Sequence, residues 1–229
     1  MSPKLSARSP YIDAQGQYRQ LLAEGIAALN IDCSPKQLEL LMQYLNLLVR
    51  WNKTYNLTAI REPIAMIGLH LLDSLAVHSH ITDKKRLIDV GTGPGLPGIP
   101  LAIMNPDKHF SLLDSAGKKT RFLFQVRTEL ELENVIEINK RAEAYEPLEH
   151  YDTVLSRAFS SLSDMLNTCE HLLTTQGCFM AMKGRLSESE LAGISSRYSV
   201  DEVCRLNILE VKGERHLVTL THNKLSSDY

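Results

Sequence analysis

Along the first third of the chain, apolar residues recur at helical spacing. The pattern is weak between residues 17 and 30. It then sharpens: Ser34 precedes Pro35, and Gln37 follows three residues after the serine, the arrangement that caps a helix start reciprocally. Leu38, Leu41, Met42, Leu45, Leu48 and Val49 fall on one stripe, as an amphipathic helix requires. The stretch "NKTYNLTAIREP" interrupts the stripe, and the spacing predicts a third helix over 64–80. Residues 1–16, polar and rich in Ser, Pro and Lys, read as a loose tail, and residues 17–85 as a helical cap.

From Arg86 onward the period changes. Strand-like runs cover 86–90, 109–113, 135–139, 151–156 and 177–183. Helical patterns lie between them at 98–104, 117–132 and 161–173, with only the short "RAEAYEP" between the third and fourth strands. The chain closes on "CRLNILEV" and "HLVTLTH", two strand-like runs joined by a turn at "KGER". Strands alternating with helices predict an α/β fold, a mostly parallel doubly wound sheet with an antiparallel edge hairpin. Residues 86–229 form that unit, with the cap packed on it as one compact body.

Composition narrows the classes. A chain of 229 residues suits one large domain or a domain with an appendage. The net charge of −2 excludes a globally basic protein, so any nucleic-acid contact has to come from local clusters. The four cysteines (Cys33, Cys169, Cys178, Cys204) are scattered without a CxxC pair, which argues against a zinc or redox pair and fits a reducing compartment. The N-terminus lacks the apolar stretch of a signal peptide, and no run of about 18 apolar residues is evident. A soluble, cytoplasmic protein without a membrane span is expected.

The densest chemistry lies in "LIDVGTGPGLPGIPLAI". A short strand, apolar on both faces, ends at Asp89 and Val90 and is followed by Gly91, Gly93, Gly95 and Gly98, then by a helix. Ligands of open α/β sheets bind at such strand–turn–helix junctions. A phosphate-binding P-loop needs Lys and Ser/Thr after its last glycine, but Ile99 and Pro100 stand there. "GPGLPG" formally matches a dinucleotide fingerprint, with Asp114 placed to hold a ribose. However, the match starts two residues late, and Asp89 would face a pyrophosphate of its own sign. A carboxylate at that position suits a cationic ligand. The Asp-x-Gly-x-Gly-x-Gly arrangement therefore reads as a site for S-adenosylmethionine, which carries an ammonium, a sulfonium and a ribose diol. The competing explanation is a glycine loop that only permits a tight turn.

Taken in order, "WNKTYNLT", "HLLDSL", "IDVGTGPGLPGIPLAI", "LLDSAGKKTRFL", "VLSRAFSSL", "AMKG" and "GERHLV" resemble the bacterial 16S ribosomal RNA guanine-N7 methyltransferases, the glucose-inhibited division protein B family, over about residues 20–223. The resemblance implies a Rossmann-like class I methyltransferase that uses S-adenosylmethionine to methylate N7 of one guanosine in the decoding-region loop of 16S RNA. Its substrate would be the RNA or the small ribosomal subunit, and the enzyme a monomer. Carried over by motif, Gly91, Leu96, Ala142, Glu143 and Arg157 should line the cofactor, beside Asp89, Gly93, Gly95 and Asp114 from the reading of the loop.

N7 is a neutral lone pair, so its methylation removes no proton and needs no general base. The enzyme's work is positioning and electrostatics. The "SRAFSSL" segment replaces the Asn/Asp-Pro-Pro-aromatic turn of amino-group methyltransferases, and no cysteine stands where C5 methylation of cytosine would need a nucleophile. RNA contacts are assigned to Lys118, Lys119, Arg121 and Arg127, against a merely solvated helix face, and to Lys183 and Arg185. Arg157 and Lys183 are the candidates for positioning the RNA. Phe159 could stack on a base, though packing is its favoured use, as it is for Trp51. His70 and Asp73 are spaced to pair, and Glu214, Arg215 and His216 to form a structural ion pair; no metal site is expected. Two other classes stand beside this one: an NAD-dependent oxidoreductase, and a non-catalytic RNA-binding factor with a vestigial pocket.

Overall fold

The computed structural model describes residues 14–209 and 211–223. Helix α1 (Ala14–Ala28) begins at Ala14, so residues 14–16 are helical rather than tail; the rest of the expected tail lies outside the described residues. Helix α2 (Pro35–Tyr55) starts with the expected reciprocal cap: the Ser34 hydroxyl accepts from the Gln37 N–H, and the Gln37 side chain accepts from the Ser34 N–H. The third helical run is composite. Helix α3 (Pro63–Met66) passes into a π-helical stretch, Ile67–Leu72, then a turn of α-helix, α4 (Asp73–Leu75), and a 3₁₀ turn, His78–Ile81. By length and composition the run Pro63–Ile81 could cross a membrane, contrary to expectation. It is apolar because it is an inner helix: Met66, Ile67, Leu71, Leu72 and Leu75 are buried in the core.

The sheet contains β1 (Arg86–Val90), β2 (His109–Leu113), β3 (Val135–Ile138), β4 (Tyr151–Ser156), β5 (Leu173–Lys183), β6 (Tyr198–Arg205) and β7 (His216–His222), in the spatial order β3-β2-β1-β4-β5-β7-β6. The pairs from β3 to β5 are parallel, and β7 runs antiparallel to β5 and β6. Between strands lie α5 (Gly98–Met104), α6 (Gly117–Glu129), α7 (Leu162–Cys169) and α8 (Glu188–Ala192). Alternate strand residues feed two cores. Leu87, Phe110, Leu112, Leu155 and Met180 face the layer of α1, α2, the composite run, α5 and α6. Ile88, Leu113, Val154, Phe179 and Leu220 face α7. Covering both faces explains why the central strands read as continuous apolar runs.

The last hairpin departs from expectation. Strand β6 ends at Arg205, whereas the sequence placed that strand over 204–211. Leu206 and Ile208 are buried, which produces a strand-like alternation, but among the described residues past Arg205 only one rung continues, Leu206 N–H to the Arg215 carbonyl at 2.8 Å. The apolar residues there cover the helical core instead of pairing with a strand. Strand β5 begins four residues earlier than its apolar part, because Thr174, Thr175 and Gln176 extend it at an exposed end.

Candidate active site

The strand order reverses between β1 and β4, and their carboxyl ends open a crevice where ligands of this architecture bind. The glycine loop bridges it. Gly91 and Thr92 both donate backbone N–H groups to the Leu113 carbonyl at the end of β2 (2.9 and 3.2 Å). Gly91 has φ +69°, and a Cβ there would lie 2.7 Å from the Ala158 Cβ, so both conformation and space demand glycine. At Gly98 the constraint is space alone: a Cβ would come within 2.2 Å of Leu112 and 3.0 Å of the Asp89 carboxylate.

Asp89 does not face the crevice as an open carboxylate. It has no exposed surface, and its Oδ2 accepts the Thr92 hydroxyl (2.6 Å) and the Gly98 N–H (2.8 Å), tying the two ends of the loop together. Its Oδ1 is buried and meets no donor. Burial raises its pKa from 3.8 to about 6, against the two hydrogen bonds, which lower it. From the helical layer the buried Tyr44 hydroxyl donates to the Pro94 carbonyl at 2.8 Å, holding the loop from behind. Gly93, Gly95 and Leu96 belong to this supporting part, and the Leu96 side chain is in the core.

In front of the loop lies a cavity of about 330 Å³, within the range of small-molecule sites. Gly91, Asp114, Lys119, Ala142, Glu143 and Ala158 are among its lining. Asp114 accepts the Gly93 N–H (2.9 Å), the Ala116 N–H (2.9 Å) and the Lys119 ammonium (3.1 Å). A glycine-cleared wall with acids and bases together fits S-adenosylmethionine: the exposed Glu143 could take its cationic part, and Lys119, Lys140 and Arg141 its carboxylate.

A second cavity, of about 410 Å³, lies beyond the end of β4. Arg157 lines this one, while its neighbour Ala158 lines the first. Arg157 donates to Asp73 (2.9 Å) and to the Leu69 carbonyl (3.2 Å), and Arg215 donates to the other oxygen of Asp73 (3.1 Å). His70 and Asp73 therefore do not pair, and Arg215 takes its carboxylate from the helical layer rather than from Glu214. The His70 Nδ1–H donates to the Leu69 carbonyl (3.0 Å), and Nε2 accepts the Thr58 hydroxyl (2.9 Å). Burial lowers the imidazole pKa to about 4, so the ring is neutral at physiological pH.

The cations assigned to RNA fall into separate places. Lys119 is in the first cavity on Asp114. Arg127 is held by Glu137 (2.8 Å) and lies over the Phe124 ring. Lys183 lines the second cavity and pairs with Glu190 (2.9 Å) while also donating to the Ser160 carbonyl (2.8 Å). Arg185 is exposed. Lys118 and Arg121 are exposed on α6 and donate to the Tyr55 and Gly117 carbonyls (3.0 and 3.3 Å); among the described residues neither meets a carboxylate. Phe159 is half-buried at the first cavity, and Trp51 packs on Phe122 and Tyr55. The sequence pattern marks neither Asp73 nor Tyr44 as part of a site. The one signal for Tyr44 was a hydroxyl inside an apolar stripe, which has to find a partner.

The family model of rRNA small subunit methyltransferase G matches residues 37–218. A protein named ribosomal RNA small subunit methyltransferase G from Pectobacterium carotovorum is 49% identical over 90% of this chain and all of its own length. Its namesake from Shewanella loihica is 48% identical over 84% of this chain and 93% of its own. Among solved structures, M. capricolum TrmK in complex with S-adenosyl-homocysteine superposes with a TM-score of 0.54 at 15% identity, covering 66% of this chain and 68% of that one. A ribosomal protein L11 methylase from Lactobacillus delbrueckii gives 0.53 at 13% identity, covering 68% and 79%. Both likenesses concern the fold, that of class I Rossmann-like methyltransferases.

Proposed function

The chain belongs to the rRNA small subunit methyltransferase G family, and from that premise we propose that it transfers a methyl group from S-adenosylmethionine to N7 of a guanine in the decoding-region loop of 16S ribosomal RNA. The observation that carries the reading is a pair of cavities, one lined in part by Asp114 and Glu143, the other by Arg157, Arg215 and Lys183, to which the consecutive residues Ala158 and Arg157 contribute one each. The first offers two carboxylates to a cationic donor, with Lys119, Lys140 and Arg141 also on its lining, and the second offers arginines to a polyanion.

S-adenosylmethionine, when bound, supplies an electrophilic methyl group on its sulfonium. Asp114, Glu143 and the backbone about Gly91 and Ala142 would hold it. The chain's remaining task is to place a base edge in line with that methyl. No proton leaves N7, so His70 has no base to be: its lone pair accepts Thr58, and it shapes the cavity wall. Cys169 is likewise no nucleophile, since burial pushes its thiol up to about 12. The methylated base carries a new positive charge, which weakens its hold beside two guanidiniums and favours its departure.

The target guanine is unpaired or exposed in an assembling particle, because the major-groove edge of A-form RNA is closed to side chains. The enzyme works as a monomer in the cytoplasm. The test is to incubate the protein with small ribosomal subunits and with protein-free 16S RNA in the presence of methyl-labelled S-adenosylmethionine, then map the label. N7-methylguanosine in the decoding-region loop is the expected product; label on another atom or another RNA would refute the assignment.

A further inference from the structure

Asp73 lies outside the glycine loop and outside the lining of the first cavity, yet two distant chain segments converge on it. Its carboxylate is 3% exposed and receives Arg157, from the end of β4, on Oδ2, and Arg215, from just before β7, on Oδ1. The guanidinium side chains remain 27% and 28% exposed, so they are reachable and the carboxylate is not. The π-helical stretch Ile67–Leu72 immediately before Asp73 adds a second anchor: the Leu69 carbonyl accepts Arg157 at 3.2 Å. π-Helical turns concentrate at functional sites because they re-aim backbone groups.

Charge counting around the second cavity is simple. Lys183 is neutralised by Glu190, and His70 is neutral. Two guanidiniums share one carboxylate, so the arginines carry one positive charge uncompensated, apart from any on His216, which also lines the cavity. Each guanidinium also keeps N–H donors beyond those used on Asp73 and on the Leu69 and Glu214 carbonyls. A buried acid that holds two forks in fixed orientation is worth more for geometry than for attraction, because it cancels part of the charge that RNA would seek.

We propose that Asp73 is a positioning residue for methyl transfer: its single buried carboxylate sets the orientation of Arg157 and Arg215, so that their remaining donors and one net positive charge meet the phosphodiester flanking the target guanine. This rests on the function proposed above. Asp73 touches neither substrate nor methyl donor; it fixes the groups that touch the RNA.

The test compares wild type, Asp73→Asn, Asp73→Glu and Arg215→Gln. It uses binding to small ribosomal subunits over a series of KCl concentrations and single-turnover methyl transfer at saturating subunits. In Asp73→Asn a guanidinium is released to pair with phosphate, so the slope of log affinity against log salt steepens by about 0.7–0.9. At the same time the saturated rate falls at least about tenfold, because orientation is lost. Asp73→Glu restores the wild-type slope, and Arg215→Gln flattens it by a similar amount. A folded Asp73→Asn protein with an unchanged slope, whether or not its rate falls, overturns the proposal, since a merely structural acid would leave the count of phosphate contacts alone. If that variant does not fold, Arg215→Gln decides, and a wild-type slope there overturns it too. Failure of the wild-type protein to methylate the subunit would instead remove the proposed function, while the binding slopes would remain measurable.

Discussion

Asp89 is the residue whose type and direction diverge most. An acid between an apolar strand and a glycine loop is plain in the sequence, and a cationic ligand is the simplest reason for it. In the fold that acid is turned back to clamp Thr92 and Gly98, because a loop of four glycines needs an internal tie. The direction of a side chain at a strand end depends on which neighbours close over it, and those are set by tertiary packing. Its buried state has a measurable sign. The folded-state pKa, about 6, is above the ordinary 3.8, so the stabilising contribution of the protonated form is complete below pH 4 and is lost as pH rises through 6. Relative to Asp89→Asn, wild type should lose about 2 kcal/mol between pH 4 and pH 7, read from urea unfolding at both ends of that range. A difference that stays flat with pH would contradict the buried ionisation. Gly91 makes a separate claim. Gly91→Val forces a β-branched residue to φ +69° with its Cβ against Ala158, which should cost about 1–3 kcal/mol of stability and abolish detectable S-adenosylmethionine binding by calorimetry.

At the level of elements, what local chemistry dictates was legible. The Ser34–Gln37 capping box, the five parallel-type strands and α5 follow from side-chain period and from residues with fixed backbone preferences. Ser34→Ala should lower stability by about 1 kcal/mol by releasing the N–H groups at the start of α2, with a fall in melting temperature as the readout and little change in methyl-donor affinity. Elements that answer to distant partners were less legible. Strand β6 was displaced because Leu206 and Ile208 alternate in burial against the helical core without a strand to pair with. The π-helical stretch gave no sequence signal either. It packs against α1, where Gly25 leaves room for Leu72: a Cβ at Gly25 would come within 2.3 Å of that side chain.

For the whole molecule, the mostly parallel sheet with its antiparallel hairpin and the crevice were legible because they follow from alternation of strand and helix, but the partition of cations was not. A net charge of −2 directs attention to clusters, and the run "GKKTRFLFQVR" is one in sequence. In space its members separate: Lys119 goes to Asp114, Arg127 to Glu137, and only Lys118 and Arg121 stay on an exposed face without a carboxylate among the described residues. A Lys118→Ala, Arg121→Ala double variant should flatten the salt dependence of subunit binding by up to about 1.4–1.8 in slope while leaving S-adenosylmethionine affinity unchanged. Equal losses of both affinities would show that the two surfaces are not independent. One contact crosses all these scales. The Tyr44 phenol, rooted in α2, reaches through the core to the carbonyl of Pro94. The helices thus act as a keystone for the cavity in front of the glycine loop. A Rossmann-like core excised at Arg86 would retain every residue that faces the ligand and still lose its grip on it, and damage to a helix remote from any substrate would present itself to the experimenter as a binding defect.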